Sequence, residues 1–216
     1  MKSAIIILFT IIFFQACSFK SPENQWEFNS SNAFNSYSKY FLIDDEELAN
    51  SDLERAIKYA KQSANLEQLS RVYLGACALN ISVEQDDKCE EYKKIEEFVS
   101  SKELKTYFLM LKNRLKSEQI EYLPKQYQSF SRYFLSKKYD LAFKSIMSME
   151  QTTSQFIAAS LMKKYLNKSQ INYLVSKSSF SGYKKLVLFW LNYLYEIENN
   201  QEQKQLIDKK IKILKM

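Results

Sequence analysis

The chain of 216 residues contains no histidine, two glycines, two prolines, three cysteines and four arginines. Each shortage removes a class of protein. Without histidine, Ser-His-Asp and Cys-His catalysis are excluded, and the commonest general base and metal ligand is missing. Gly75, Gly182, Pro22 and Pro124 are too few to punctuate a hairpin-rich β fold or to line a phosphate-cradling loop. The basic residues are mostly lysines spread along the chain, as Lys137-Lys138, Lys163-Lys164, Lys184-Lys185 and Lys209-Lys210, and the net charge is +6. A nucleic-acid binder shows instead a clustered basic stripe with arginine and aromatics, so no nucleic acid is expected as a partner. The lysine pairs read as a solubilising face, or as contacts to anionic lipid or an acidic partner near a membrane.

The remaining residue types do not assemble into a catalytic signature. Ser160-Leu-Met-Lys163 and Ser181-Gly-Tyr-Lys184 fit the S-x-x-K start of penicillin-recognising enzymes, but no S-D-N or K-T-G element accompanies either. The doublets Glu46-Glu47, Glu90-Glu91 and Glu96-Glu97 fall on solvated helix faces, where adjacent positions diverge and cannot converge on one bond. A carboxylate-only hydrolase is compatible with the residue types alone. The reading is nonetheless that the chain is not an enzyme, with no catalytic residue, no metal and no cofactor.

What is abundant points to helices. Leu, Lys, Glu, Gln and Ala suit helix interiors. Leu53, Ala56, Ile57, Ala60 and Ala64 recur at helical spacing, as do Leu69, Val72, Tyr73, Ala76 and Leu79, and then Tyr139, Ala142, Phe143 and Ile146. Each stripe is one-sided and must be buried against a neighbour. Polar breaks at Asn50-Ser51-Asp52, Asp86-Asp87, Ser100-Ser101, Thr152-Thr153-Ser154 and Ser178-Ser179 predict short joints between antiparallel neighbours. The fold class is all-α, with about nine or ten helices between Trp26 and Leu214.

The N-terminus follows a different logic. Lys2 is the only charge before Cys17, and Ala4 to Phe14 is an apolar run of 11 residues, against roughly 20 needed to span a bilayer. This is the layout of a secretory signal peptide. Phe14-Gln15-Ala16-Cys17 resembles the lipobox of bacterial lipoproteins, in which the cysteine is acylated and becomes the first residue; Phe14 and Gln15 depart from the usual Leu and small residue. The resemblance implies a signal peptide over residues 1–16, a lipidated Cys17 with a short tether over 17–25, and a helical domain over 26–216. Ser18 after the cysteine is compatible with transfer to the outer membrane, where stable anchoring takes two or more acyl chains such as palmitate. An ordinary cleaved signal peptide with an incidental Cys17 is the alternative.

Two segments, Ser131–Met149 with a turn at 136–138 and Leu188–Leu214 with a turn at Asn199-Asn200, resemble tetratricopeptide units, and Leu53–Leu79 reads as a second helix followed by the next first helix. None carries the full consensus. The architecture is either a short α-solenoid of antiparallel helix pairs or an irregular helical bundle. With Cys17 removed from the count, Cys77 and Cys89 remain. In an exported chain they read as a disulfide across an αα-hairpin centred near Val83, stabilising by roughly 3 kcal/mol; two free buried thiols are the alternative. Structural zinc would need four ligands.

Fifteen Tyr and fifteen Phe mostly fill helix interfaces. The run Leu186–Leu191 is apolar on every side of a helix, which makes it either a central buried helix or the wall of a groove. Tyr127, Phe130, Tyr133, Phe134, Phe189, Trp190 and Tyr193 are the candidate groove residues. Glu27-Phe28-Asn29-Ser30-Ser31 resembles the bacterial periplasmic N-glycosylation signal, with Asn29 as acceptor. The functional expectation is a lipid-anchored periplasmic scaffold or assembly factor with a protein partner of the cell envelope, resembling pilotin-type lipoproteins. A structural or surface adhesion lipoprotein is the second expectation.

Overall fold

The computed structural model describes residues 24–85 and 87–216. The segment read as signal peptide, the lipidation position Cys17 and most of the tether lie outside the described residues. Every regular element among the described residues is helical: eleven α-helices and three 3-10 turns. The α-helices are α1 (Gln25–Ile43), α2 (Glu46–Ala60), α3 (Glu67–Ser82), α4 (Glu90–Lys93), α5 (Lys102–Leu111), α6 (Lys125–Leu135), α7 (Tyr139–Met147), α8 (Thr152–Leu161), α9 (Lys168–Phe180), α10 (Lys184–Ile197) and α11 (Gln201–Lys215). None of these helices is long and apolar enough to cross a membrane.

Consecutive helices pack in pairs, α1 with α2, α6 with α7, α9 with α10 and α10 with α11. The turns at 136–138 and 198–200 fall where the tetratricopeptide-like segments place them. Packing also reaches between distant elements: α3 lies on α8, and α10 lies on α1. A solenoid repeat touches only its neighbours, so these crossings close the row of pairs upon itself.

Side-chain capping fixes the start of four helices. Ser101 accepts from Leu104 N at 3.3 Å, Asn167 from Gln170 N at 2.9 Å, and Asn200 from Gln203 N at 3.0 Å, each satisfying an orphan amide of the first turn. Two expected breaks fall inside helices instead. Asp45 caps α2 through Leu48 N at 3.2 Å, so the helix starts before Asn50-Ser51-Asp52; Asp52 is buried and meets Arg55 at 2.9 Å. Ser178 lies within α9 and donates back to Leu174 O at 2.8 Å, an intrahelical bond that spares the hydroxyl a break in the chain.

The scarcity of glycine reappears at helix ends. Five helices end in a left-handed residue, where glycine is usual, but only Gly182 after α9 is one. Asp44, Glu84, Asn113 and Lys137 take that position after α1, α3, α5 and α6, with φ of 72°, 56°, 52° and 57°. The one close backbone approach does have its glycine: a Cβ on Gly75 of α3 would lie 2.3 Å from Phe34 Cζ of α1.

The Cys77–Cys89 disulfide is formed, with Cα atoms 5.3 Å apart. Its setting differs from the expected hairpin, since Cys89 is not on a second long helix. It sits in the left-handed region just before the one-turn α4, so the bridge ties a loop and not a partner helix to α3. The main core contains Trp190, Tyr92, Phe130 and Phe156 among its fully buried side chains. Leu186, Trp190 and Leu191 of the apolar run are buried, while Val187, Leu188 and Phe189 are half-buried, because a helix apolar on all sides still has one side near the surface.

Two measurements check this description. Lys137→Gly should raise stability by about 0.5–1 kcal/mol, the strain of a non-glycine left-handed residue less the added chain entropy; urea denaturation showing a loss would contradict the αL helix end. Tyr92 is fully buried, its hydroxyl has no partner, and burial, then the charge of Glu96, pushes its pKa up to about 12. The unfolded chain releases that proton near pH 10, so its contribution is whole below about pH 10 and is lost as pH rises towards about 12. Tyr92→Phe should therefore leave stability at pH 7 unchanged or higher and flatten the alkaline decline, read from chemical unfolding at pH 7 and 11.

Candidate partner groove

The C-terminal half of α6 is the starting point. Phe130 and Phe134, one helical turn apart, stack at 5.5 Å with ring planes 11° apart. Phe134 meets Tyr165 edge-on at 5.9 Å, and Tyr165 stacks on Tyr139 of α7 at 4.0 Å. This ladder forms one wall of an open trough of about 490 Å³, whose other sides are Met110 and Asn113 at the end of α5, Leu161 at the end of α8, and Lys163 and Lys164 in the following 3-10 turn. Tyr165 is half exposed, and Leu135 beside it is more than a third exposed. An apolar floor with a polar, basic rim is the common anatomy of a recognition site.

Lys163 is the hinge of the rim. Its ammonium pairs with Glu84, the left-handed residue after α3, and lies 4.8 Å from the Tyr193 ring centre and 5.9 Å from that of Phe189. The Tyr193 hydroxyl donates to Lys163 O at 3.1 Å. Glu84, Lys163 and Phe189 also border a shallower depression of about 330 Å³, and Phe189 and Tyr193 one of about 290 Å³. The trough and its neighbours thus form a continuous furrow around one cation–π-held lysine.

Of the seven residues expected to line a groove, four are brought around this furrow: Phe130, Phe134, Phe189 and Tyr193. The other three are not. Trp190 is fully buried, facing the core while its neighbour Phe189 faces outward. Tyr133 is half-buried against the core. Tyr127 lines a separate cleft of about 370 Å³ between α1, α3, α5, α6 and α8. There it packs 5.4 Å from Tyr107, and burial pushes both phenols upward. The stripe on α6 runs past both cavities, so Tyr127 near its start reaches one cleft while Phe130 and Phe134 farther along reach the other.

The Ser160–Lys163 match is not arranged as a nucleophile–base pair. The Ser160 hydroxyl of the S-x-x-K match donates to Ser82 O at 2.7 Å, while the Lys163 ammonium is turned to Glu84. Nucleophile and base need a mutual hydrogen bond, and these two point to different partners. Of the carboxylate doublets, Glu90 and Glu91 pair with Lys93 and Lys94, and Glu46 with Lys185. Cys77, Cys89 and Asp87 bring their ligand atoms within 4.8 Å of one another, but the sulfurs are bonded together. Asp87 meanwhile accepts from Cys89 N at 2.6 Å and from the Asn80 amide at 2.7 Å.

Several rim residues escape a sequence reading. Glu84, Asn113 and Ser131 belong to no periodic stripe, and Lys163 stood out only through the Ser-Lys spacing and as one of the lysine pairs. Asn29 lies inside α1, half-buried, with its Oδ1 accepting from Gln25 at 2.9 Å; a glycan acceptor suits a surface loop instead.

Ser131 provides the test of the site. It is buried in the trough wall and its hydroxyl has no partner, so Ser131→Ala should stabilise the free protein by about 1 kcal/mol; thermal unfolding at lower temperature in the variant would show that the hydroxyl is satisfied. No protein-family model matches the chain, and neither a curated protein nor a solved structure shows a significant similarity to it.

Proposed function

We propose that this chain is a non-catalytic protein-interaction scaffold or assembly factor of the bacterial cell envelope, lipidated at Cys17 and held at the outer membrane on its periplasmic side. The observation that carries the reading is the furrow around Lys163: an open aromatic ladder with a basic rim. Such a surface binds through shape and contact and needs no reacting group. The Cys77–Cys89 bridge supports an oxidising compartment, since disulfides persist outside the reducing cytosol. The lipobox-like Phe14-Gln15-Ala16-Cys17 supports the anchor, and the short stretch from Cys17 to α1, at about 3.3–3.6 Å per residue, keeps the helical domain close to the membrane.

Cys17→Ala should abolish palmitate incorporation and shift the protein from the membrane to the soluble periplasmic fraction; a variant that remains membrane-bound would remove the anchor from the proposal. Purification of the native chain from solubilised membranes should yield a stoichiometric envelope protein. Isolation of the chain alone, exposed at the cell surface, would favour a structural or adhesive lipoprotein.

A further inference from the structure

Three features of the trough specify more than a general contact surface. The first is Ser131. Other buried helical serines find a carbonyl for their hydroxyls: Ser70 on Leu66 O and Ser178 on Leu174 O, both at 2.8 Å, Ser82 on Leu79 O at 2.7 Å, and Ser30 on Ala56 O at 3.0 Å. Ser131, only 2% exposed, does not, and its hydroxyl is left without any partner in the wall of the trough. An unpaired buried hydroxyl is destabilising, and a bound group able to accept a hydrogen bond would relieve it. The second is the division of labour between the rim lysines: Lys163 is committed to Glu84, while Lys164 stands exposed at the mouth. The third is the floor, where Phe130, Phe134 and Leu161 offer apolar area for a bulky side chain.

The geometry points to an acidic peptide segment of a partner protein as the occupant: one large apolar side chain lies in the trough on Phe134, a main-chain carbonyl accepts from Ser131 Oγ once that buried side chain turns towards the trough, and an Asp or Glu meets Lys164. The inference rests on the scaffold reading above and gives its partner a chemistry. A hydrocarbon chain fits less well, because it would cover Ser131 without supplying an acceptor. The volume of about 490 Å³ is within the range of cavities that hold a ligand-sized group.

The experiment is selection of a random 12-residue peptide library against the full processed chain in detergent, followed by fluorescence anisotropy with the most enriched peptide. Enriched peptides should pair Leu, Ile, Phe or Met with a nearby Asp or Glu. Affinity should fall about tenfold in Phe134→Ala, as for a central aromatic contact, and severalfold in Lys164→Glu, which should also lose the salt dependence of binding. Ser131→Ala should weaken binding severalfold while the free protein stays folded and more stable, which separates recognition from folding; Lys210→Glu on α11 should change nothing.

The proposal is overturned if no acidic-apolar class is enriched, if Lys164→Glu binds as tightly as the unaltered chain, if sodium dodecanoate displaces the peptide at micromolar concentration, or if Phe134→Ala instead abolishes self-association of the chain. An envelope partner that co-purifies equally well with Phe134→Ala and Lys164→Glu would overturn this inference and leave the scaffold reading standing. Absence of any protein partner from native membranes would remove both.

Discussion

The crossing of α3 on α8 holds together parts of the chain that are about eighty positions apart. Both helices are lined with small buried residues, Ala78 and Ser82 on one and Ala158 and Ala159 on the other, and small residues allow helix axes to approach closely. Ser160 Oγ, bonded to Ser82 O at 2.7 Å, ties the two across the contact. From this crossing the rest follows. Helix α3 also packs on α1, α2 and α5, and the disulfide fastens the loop after α3 back to it. That loop carries Glu84 to Lys163, and the end of α8 carries Lys163 and Tyr165 to the ladder on α6. The furrow exists because α3 and α8 end side by side.

The interior polar groups show where the fold is finished and where it is open. Ser30 donates to Ala56 O at 3.0 Å, Gln68 donates to Ser30 at 3.2 Å, and Gln155 donates to Met149 O at 2.7 Å. These bonds join α1 to α2 and α3, and α8 to the turn before it. Against that background the exceptions are few among the described residues: Tyr92 Oη, Ser131 Oγ and Trp190 Nε1. Tyr92 and Trp190 are large side chains whose apolar burial outweighs one unmade bond. Ser131 has no such bulk to offset the loss, and it alone of the three borders the trough.

How far the sequence could be read depended on the range of the interaction involved. The stripe Leu69, Val72 and the later Tyr139, Ala142, Phe143, Ile146 identified helices correctly, because helical periodicity depends on neighbours three and four positions away. The joints at 136–138 and 199–200 were legible for the same reason, as was the pairing of Cys77 with Cys89 across a short loop. The breaks assigned to Asn50-Ser51-Asp52 and Ser178-Ser179 were misplaced, because a polar residue inside a helix can be satisfied by a salt bridge or a backbone carbonyl. The seven-residue groove was half legible. An aromatic on a helix is interior or lining according to rotations of 100° per residue, and Phe189 and Trp190 fall on either side of that division.

The sequence by itself determined an all-α chain of short amphipathic helices, nearly without glycine, with two cysteines spaced for a disulfide. Such features follow from composition and local spacing, and they need no knowledge of where any helix lies. Only the tertiary structure decided that α3 meets α8 and α10 meets α1, that Tyr127 and Trp190 turn away from the furrow, and that Glu84, Asn113, Ser131 and Lys163 come together. The reason is physical: an amphipathic face requires burial but does not name its partner, and which faces meet is settled by the close packing of the whole set of helices at once.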